Sequence, residues 1–156
     1  MTQASPLDTL ISLTRDSRDS ASLKLAELRR ARHDAQAQLD TLFRYRQEYR
    51  ERLQGAMAQG IGPDSWQNYQ QFLASLDNAI ERARQALSER EHQLNRGQQH
   101  WQDAQRKLSA YDTLVDRRQQ REQQRVSRLE QRHNDEMANG LLLRRQQNES
   151  RHGSSH

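Results

Sequence analysis

Residues 53–80 read LQGAMAQGIGPDSWQNYQQFLASLDNAI, and Gly60-Ile61-Gly62-Pro63 within them decides the fold. A glycine can take the left-handed position that closes a helix. Gly62 can cap the next helix, with Pro63 at its first position and Asp64 in its first turn. Working back from this break, nothing interrupts the chain except Gly55, whose cost of about 1 kcal/mol a long helix absorbs. The first helix begins at Ser5-Pro6-Leu7-Asp8, where Ser5 caps, Pro6 opens the first turn and Asp8 completes a capping box. Working forward, the second helix is expected from about Pro63 to Ala138, where Asn139-Gly140 ends it. Residues 139–156 are read as a flexible polar tail. The domain is thus a helix of about 6–59, a turn at 60–62 and a helix of about 63–138 within residues 1–138.

Composition agrees with elongated helices. Of 156 residues, 32% are hydrophobic and 29% charged, and the mean hydropathy is -1.26. Glutamine fills 22 positions, against 6 glycines and 2 prolines. That is too little apolar volume for a rounded core, but enough for the narrow seam of a coiled coil. Straight side chains such as Gln, Arg, Glu and Leu lose little entropy in a helix, which argues against a disordered chain of the same polarity. The absence of cysteine excludes disulfides and thiolate metal sites. No apolar run reaches the 18 or more residues of a membrane span. Met1 to Ser20 lacks a continuous hydrophobic region and does not read as a secretory signal. A cytoplasmic location is therefore expected.

The second helix carries a heptad. Stepping by seven gives Trp66, Leu73, Ile80, Leu87, Leu94, Trp101, Leu108 and Val115. A companion stripe runs through Tyr69, Leu76, Ala83, Arg90, Gly97, Ala104 and Tyr111, with soft spots at Arg90 and Gly97. The first helix steps through Ala21, Leu28, Ala35, Leu42, Tyr49 and Ala56, with Leu25, Leu39 and Leu53 beside them. Arg32 and Arg46 interrupt that second stripe, and their stems are expected to pack while their heads reach solvent. Folding the helices about Ile61 brings residue 6 only to about residue 116. The companion stripe changes there from Tyr111 to Arg118, Arg125 and Arg132. The expected architecture is therefore all-α: a two-helix antiparallel coiled-coil hairpin about 80 Å long, with about 30 Å of C-terminal helix overhanging it. A parallel dimer of straight rods is the alternative, and the Gly60–Pro63 break argues against it.

Chemistry-bearing motifs are scarce. There is no Gly-rich phosphate loop. His33, His92, His100, His133, His152 and His156 lie scattered in polar sequence, and Glu89 and His92 sit one helical turn apart. Asp77 with Glu81, and Asp112 with Asp116, share helical faces that read as solvated. No catalytic, cofactor-binding or metal site and no small-molecule substrate is expected. Charge is more informative. Residues 1–116 hold 16 basic and 16 acidic side chains, and residues 117–156 hold 9 and 5, so the whole net charge of +4 lies at the C-terminal end. Arg117, Arg118, Arg121, Arg125, Arg128 and Arg132 face only Glu122 and Glu130. Docking on an acidic protein surface fits this run. Nucleic acid is not an expected partner, because neither a base-reading motif nor interleaved aromatics accompany it. A second candidate lies nearer the turn. Gln38, Leu42, Tyr45 and Tyr49 share one stripe, and Phe72, Leu76, Ala79 and Ala83 have the same spacing on the other helix. Phe72, Ala79 and Tyr45 lie off the main heptad positions, so the apolar surface is wider there than two helices require.

The chain resembles the FliJ family of flagellar type III export proteins. The resemblance rests on Leu28-Arg29-Arg30, on Tyr45-Arg46-Gln47-Glu48-Tyr49-Arg50, and on Gly60-Ile61 leading into Trp66-Gln67-Asn68-Tyr69-Gln70-Gln71-Phe72. Leu76, Ala79-Ile80-Glu81, Trp101, Gln105, Leu108, Ala110, Thr113-Leu114 and Asp116-Arg117 extend it over roughly residues 7–117. It implies a hairpin similar to the central stalk of rotary ATPases. By the same resemblance, the partners are the hexameric export ATPase, the cytoplasmic domain of the transmembrane export gate and the chaperones of flagellar substrates. Gln38, Leu42, Tyr45, Tyr49, Phe72, Leu76 and Ala79 then correspond to the gate-binding surface, and Ala83 stands where the family can have a histidine. Arg118, Arg121, Arg125 and Arg128 are the candidate ATPase contact. The location implied is peripheral, at the cytoplasmic face of the inner membrane near the flagellar base, with indirect membrane association. A generic coiled-coil scaffold with a basic tail that binds nucleic acid or another acidic partner is the alternative.

Overall fold

The structure is a computed structural model that describes residues 5–153. Helix α1 spans Pro6–Gln59 and helix α2 spans Pro63–His152. The start of α1 is the expected capping box: Ser5 Oγ accepts from the Asp8 amide at 3.2 Å, and Asp8 Oδ2 accepts from the Ser5 amide at 3.3 Å. Two otherwise unpaired backbone donors are satisfied there. Gly60 closes α1 at φ 82°, a conformation that a side chain disfavours, and its N–H bonds to Met57 O at 3.2 Å. Met1–Ala4, part of the segment read for a signal, lie outside the described residues.

The chain divides into two compact units, Met1–Leu108 and Ser109–His156. In the first, α1 and the leading part of α2 pack as an antiparallel hairpin. Its buried residues are Ala21, Leu25, Leu39 and Leu53 on α1 and Leu76, Ile80, Ala104 and Leu108 on α2. Every one falls on a heptad stripe. Most remaining stripe residues are half-buried, whereas Trp66 and Arg90 are exposed. Register is marked by contacts between residues equally far from Ile61, to within a residue or two. Trp101 Nε1 donates to Ser22 Oγ at 2.7 Å, Arg32 Nε lies 3.7 Å from Glu91 Oε1, and Arg46 Nε lies 3.2 Å from Asp77 Oδ1.

Those ion pairs modify the expectation for the seam arginines. Arg32 and Arg46 do not simply reach solvent: each guanidinium crosses to an acid of the other helix. The Arg46 Nε is buried and makes no hydrogen bond, so its contact with Asp77 is coulombic rather than a directed bond. Gly97 also gains a reason. A Cβ there would stand 2.5 Å from Leu28 Cδ1, so the missing side chain is what lets Leu28 lie across the seam.

The second unit contains the rest of α2. The helix does not end near Ala138 but continues through Asn139-Gly140 to His152. Gly140 does not take the positive φ of a closing glycine; Gly60 alone does so among the described residues. A glycine inside a helix costs only about 1 kcal/mol, and Leu141-Leu142-Leu143-Arg144-Arg145 beyond it are strong helix formers with no proline. Arg151 places positive charge at the C-terminal dipole end. Residues 139–152, read as tail, are therefore helical, while Ser154–His156 lie outside the described residues.

The packing at Gly97 yields a test. Gly97→Ala should stabilise a Leu28→Ala background by about 1 kcal/mol, the helix-propensity difference. It should stabilise the parent by less, because there the new methyl must displace Leu28 Cδ1. Urea unfolding of the four proteins measures the coupling, and equal gains in both backgrounds would refute the contact.

Candidate functional site

Near the turn, α1 and α2 bring three aromatic rings together. Tyr49 and Phe72 have ring centroids 4.1 Å apart with planes inclined at 35°, and Tyr49 and Tyr69 lie 5.2 Å apart at 56°. Tyr49 is half-buried and so belongs partly to the seam. Phe72 is 44% exposed and Tyr45 55% exposed, which is unusual for large apolar rings held so close to a core. Tyr45, Tyr49, Phe72 and Leu76 line one open depression of about 270 Å³, together with Glu48 and Arg52. Leu76, 8% exposed, is its floor.

Four residues of the sequence-derived patch thus share one concavity. The other three do not line it: Gln38 is exposed, and Leu42 and Ala79 are half-buried along the seam flanks. Glu48 and Arg52 were not singled out from the sequence. The signal was present, because residues 45, 48, 49 and 52 follow the spacing of a single helical face. Farther along, Phe43 is covered by the Arg84 guanidinium, 5.3 Å from the ring centroid, so this aromatic is already occupied by an intramolecular cation–π contact.

The arginine run occupies the second unit. Arg121, Arg125, Arg128 and Arg132 line a shallow depression of about 360 Å³ with Gln124 and Leu129. Arg118 is not part of that lining. Arg125 is committed: its Nη2 donates to Glu122 Oε1 at 2.6 Å and its Nε to Glu122 Oε2 at 3.2 Å. This two-point bond, the Arg125 charge and the more distant Arg118 charge hold the Glu122 carboxyl below its ordinary value, and the Arg125 pKa is raised in return. Among the described residues, Arg118, Arg121 and Arg128 have no ion-pair partner. Leu129, half-exposed among them, gives the face an apolar centre.

Among the described residues, no group of three or more His, Cys, Asp or Glu side chains is placed to hold a metal ion. Asp77, one of the paired carboxylates noted in the sequence, is the partner of Arg46. His156 lies outside the described residues. No helix among the described residues is long and apolar enough to cross a membrane.

An antiparallel two-helix unit with an exposed aromatic depression, and a second, helical unit with an arginine-lined face, define an all-α protein of the coiled-coil class. The sequence matches the family described as "Flagellar FliJ protein" over residues 3–147, and the chain belongs to that family. It is 40% identical over 89 residues to the flagellar FliJ protein of Salmonella typhi and 38% identical over 89 residues to that of Escherichia coli (strain K12). Each alignment covers 57% of this chain and spans 60% of the relative's length.

The Glu122–Arg125 pair gives a direct prediction. Because its folded-state pKa is lowered, the carboxylate contributes stability above its unfolded-state pKa and loses it as pH falls through the folded value. Its NMR titration midpoint should lie below that of an ordinary glutamate and should rise in Arg125→Gln. An unchanged midpoint would show that the pair does not persist in solution.

Proposed function

We propose that this chain is a non-enzymatic component of the flagellar type III protein export apparatus, acting at the cytoplasmic face of the inner membrane. It docks the cytoplasmic domain of the export gate through the depression at Tyr45, Tyr49, Phe72 and Leu76, with Gln38, Leu42 and Ala79 at its margin. It engages the hexameric export ATPase through the arginine face of α2, promotes assembly of that ring, and escorts substrate chaperones. The ATPase supplies the hydrolysis, and this chain couples it to the export gate.

The observation that carries this reading is the exposed Tyr49–Phe72 stack beside Tyr45. Membership of the flagellar FliJ family supports a role of this surface in flagellar export. Large rings left half-exposed around a small concavity are the side chains that most often anchor a protein interface. The two flanking charges, Glu48 and Arg52, give such an interface orientation as well as affinity.

Titration with the gate's cytoplasmic domain tests the site. Phe72→Ala should weaken binding by at least about 1 kcal/mol. Since Phe72 is 44% exposed, the loss of fold stability should fall short of the 3–5 kcal/mol typical of a buried Phe truncation. Unchanged affinity in a folded variant would remove Phe72 from the interface. The arginine face is tested separately. Changing Arg118, Arg121, Arg125 and Arg128 together to Glu should abolish stimulation of the ATPase while leaving gate binding intact. The matched Gln variant distinguishes lost attraction from added repulsion. Full stimulation by both variants would exclude this face. Tight DNA binding without ATPase binding would favour the scaffold alternative.

A further inference from the structure

The hairpin has a second concavity that shares no residue with the aromatic depression. It lies where Gly97 interrupts the seam, and it measures about 640 Å³, lined among others by Lys24, Leu28, Arg90, Arg96, Gly97 and His100. Its floor is apolar, because Leu28 is half-buried and Gly97 contributes no side chain. Its rim is cationic. Lys24 is met by Glu27, the one acid in the lining, at 3.8 Å, but among the described residues Arg90 bonds only the neutral Gln93, at 3.2 Å, and Arg96 has no ion-pair or hydrogen-bond partner. Two guanidinium groups therefore stand beside an apolar floor without an acid to neutralise them.

We propose that this groove docks an acidic amphipathic helix of a partner protein, laid along the hairpin as a third helix. Two antiparallel helices leave a continuous groove on each side of their seam, and a third helix fills one by inserting side chains between them. Gly97 brings no side chain of its own, and Leu28 lies across the space this leaves, so the groove has a low apolar floor. A leucine-sized side chain of the partner fits over it, beside Leu28. Carboxylates flanking that side chain reach Arg90 and Arg96, whose planar forks bind carboxylates at two points. The sign of the rim selects the partner. A second copy of this chain would bring either a body of 16 basic and 16 acidic residues or an arginine-rich end, and neither complements a cationic groove.

The probe is a fluorescent synthetic helical peptide with leucine at heptad core positions and glutamate beside them, titrated into the full chain. A control peptide carries lysine in place of glutamate. The acidic peptide should bind and the lysine peptide should not. Arg90→Glu with Arg96→Glu should weaken binding at least about tenfold, since these exposed side chains meet the peptide's like charges. Gly97→Leu, whose Cβ would stand 2.5 Å from Leu28 Cδ1 and must displace that side chain from the floor, should act similarly. Arg121→Glu with Arg128→Glu should not, which separates this groove from the arginine face of the second unit. Circular dichroism confirms that each variant is folded, and the arginine pair decides the matter if Gly97→Leu is not. Three results overturn the proposal: no binding of the acidic peptide, equal binding of both peptides, or equal affinity for the parent and the Arg90/Arg96 variant. Self-association of the parent that Gly97→Leu abolishes overturns it too, by making a second copy the occupant.

Discussion

Two α-helices packed side by side can each bury only one stripe of side chains, and that geometric limit governs this hairpin. Its core is a line of Ala, Leu and Ile residues, with no side chain fully enclosed. Each buried leucine contributes roughly the 1.5–3 kcal/mol of an apolar side chain removed from water, and partial exposure reduces even that. Stability is thus spread along the hairpin rather than concentrated in a centre. The same limit leaves flanking side chains between core and solvent. Tyr49 shows this directly: one side supports the seam while the other meets the half-exposed Phe72. A binding surface on such a scaffold is the edge of its core, so fold and site share residues.

A uniform seam would hold the helices together without fixing their alignment. The irregular positions do that. Arg32 with Glu91 and Arg46 with Asp77 match across the helices only in the observed register, as does the Trp101–Ser22 hydrogen bond. A shift by one heptad would leave the partly buried Arg46 without its acid. Such pairs often add little net stability, because desolvation offsets attraction, yet misalignment leaves an unpaired charge. Gly97 acts by shape in the same sense, since it admits Leu28 only where the two levels coincide. With Gly60 setting the reversal, turn and seam specify a single alignment.

Much of this was legible in the sequence because its determinants are local. The capping box needs only Ser5 and Asp8, the turn only Gly60 to Pro63, and the seam only a repeat of seven. The cross-helix pairing of Arg32 and Arg46 was not legible for a different reason: their acids lie on the other helix, and finding them requires the register to within a residue. Glu48 and Arg52 escaped notice because charged residues on a helix are ordinarily solvated, and only the opposing Phe72 and Leu76 make them a rim. The end of α2 was misplaced because Asn139-Gly140 has the chemistry of a stop signal. That signal is weak when the residues after it are Leu and Arg rather than Pro, and continuation then costs less than breaking.

Arginine has opposite uses in the two units, and the supply of acids decides which applies. Over residues 1–116 bases and acids are equal in number, and Arg32 and Arg46 find carboxylates that align the helices. Between residues 117 and 132 only Glu122 and Glu130 are present, and Glu122 is already taken by Arg125. Arg121 and Arg128 therefore carry charge that no ion pair among the described residues offsets, and Arg118 acts on Glu122 only at longer range. Attraction through such exposed charges is screened over about 8–10 Å at physiological salt. Contact through Tyr45 and Phe72 depends instead on apolar area removed from water, which that screening leaves unaffected. The two surfaces consequently differ in physical kind as well as in place: the arginine face favours encounter with an acidic surface, and the aromatic depression favours retention of what fits it.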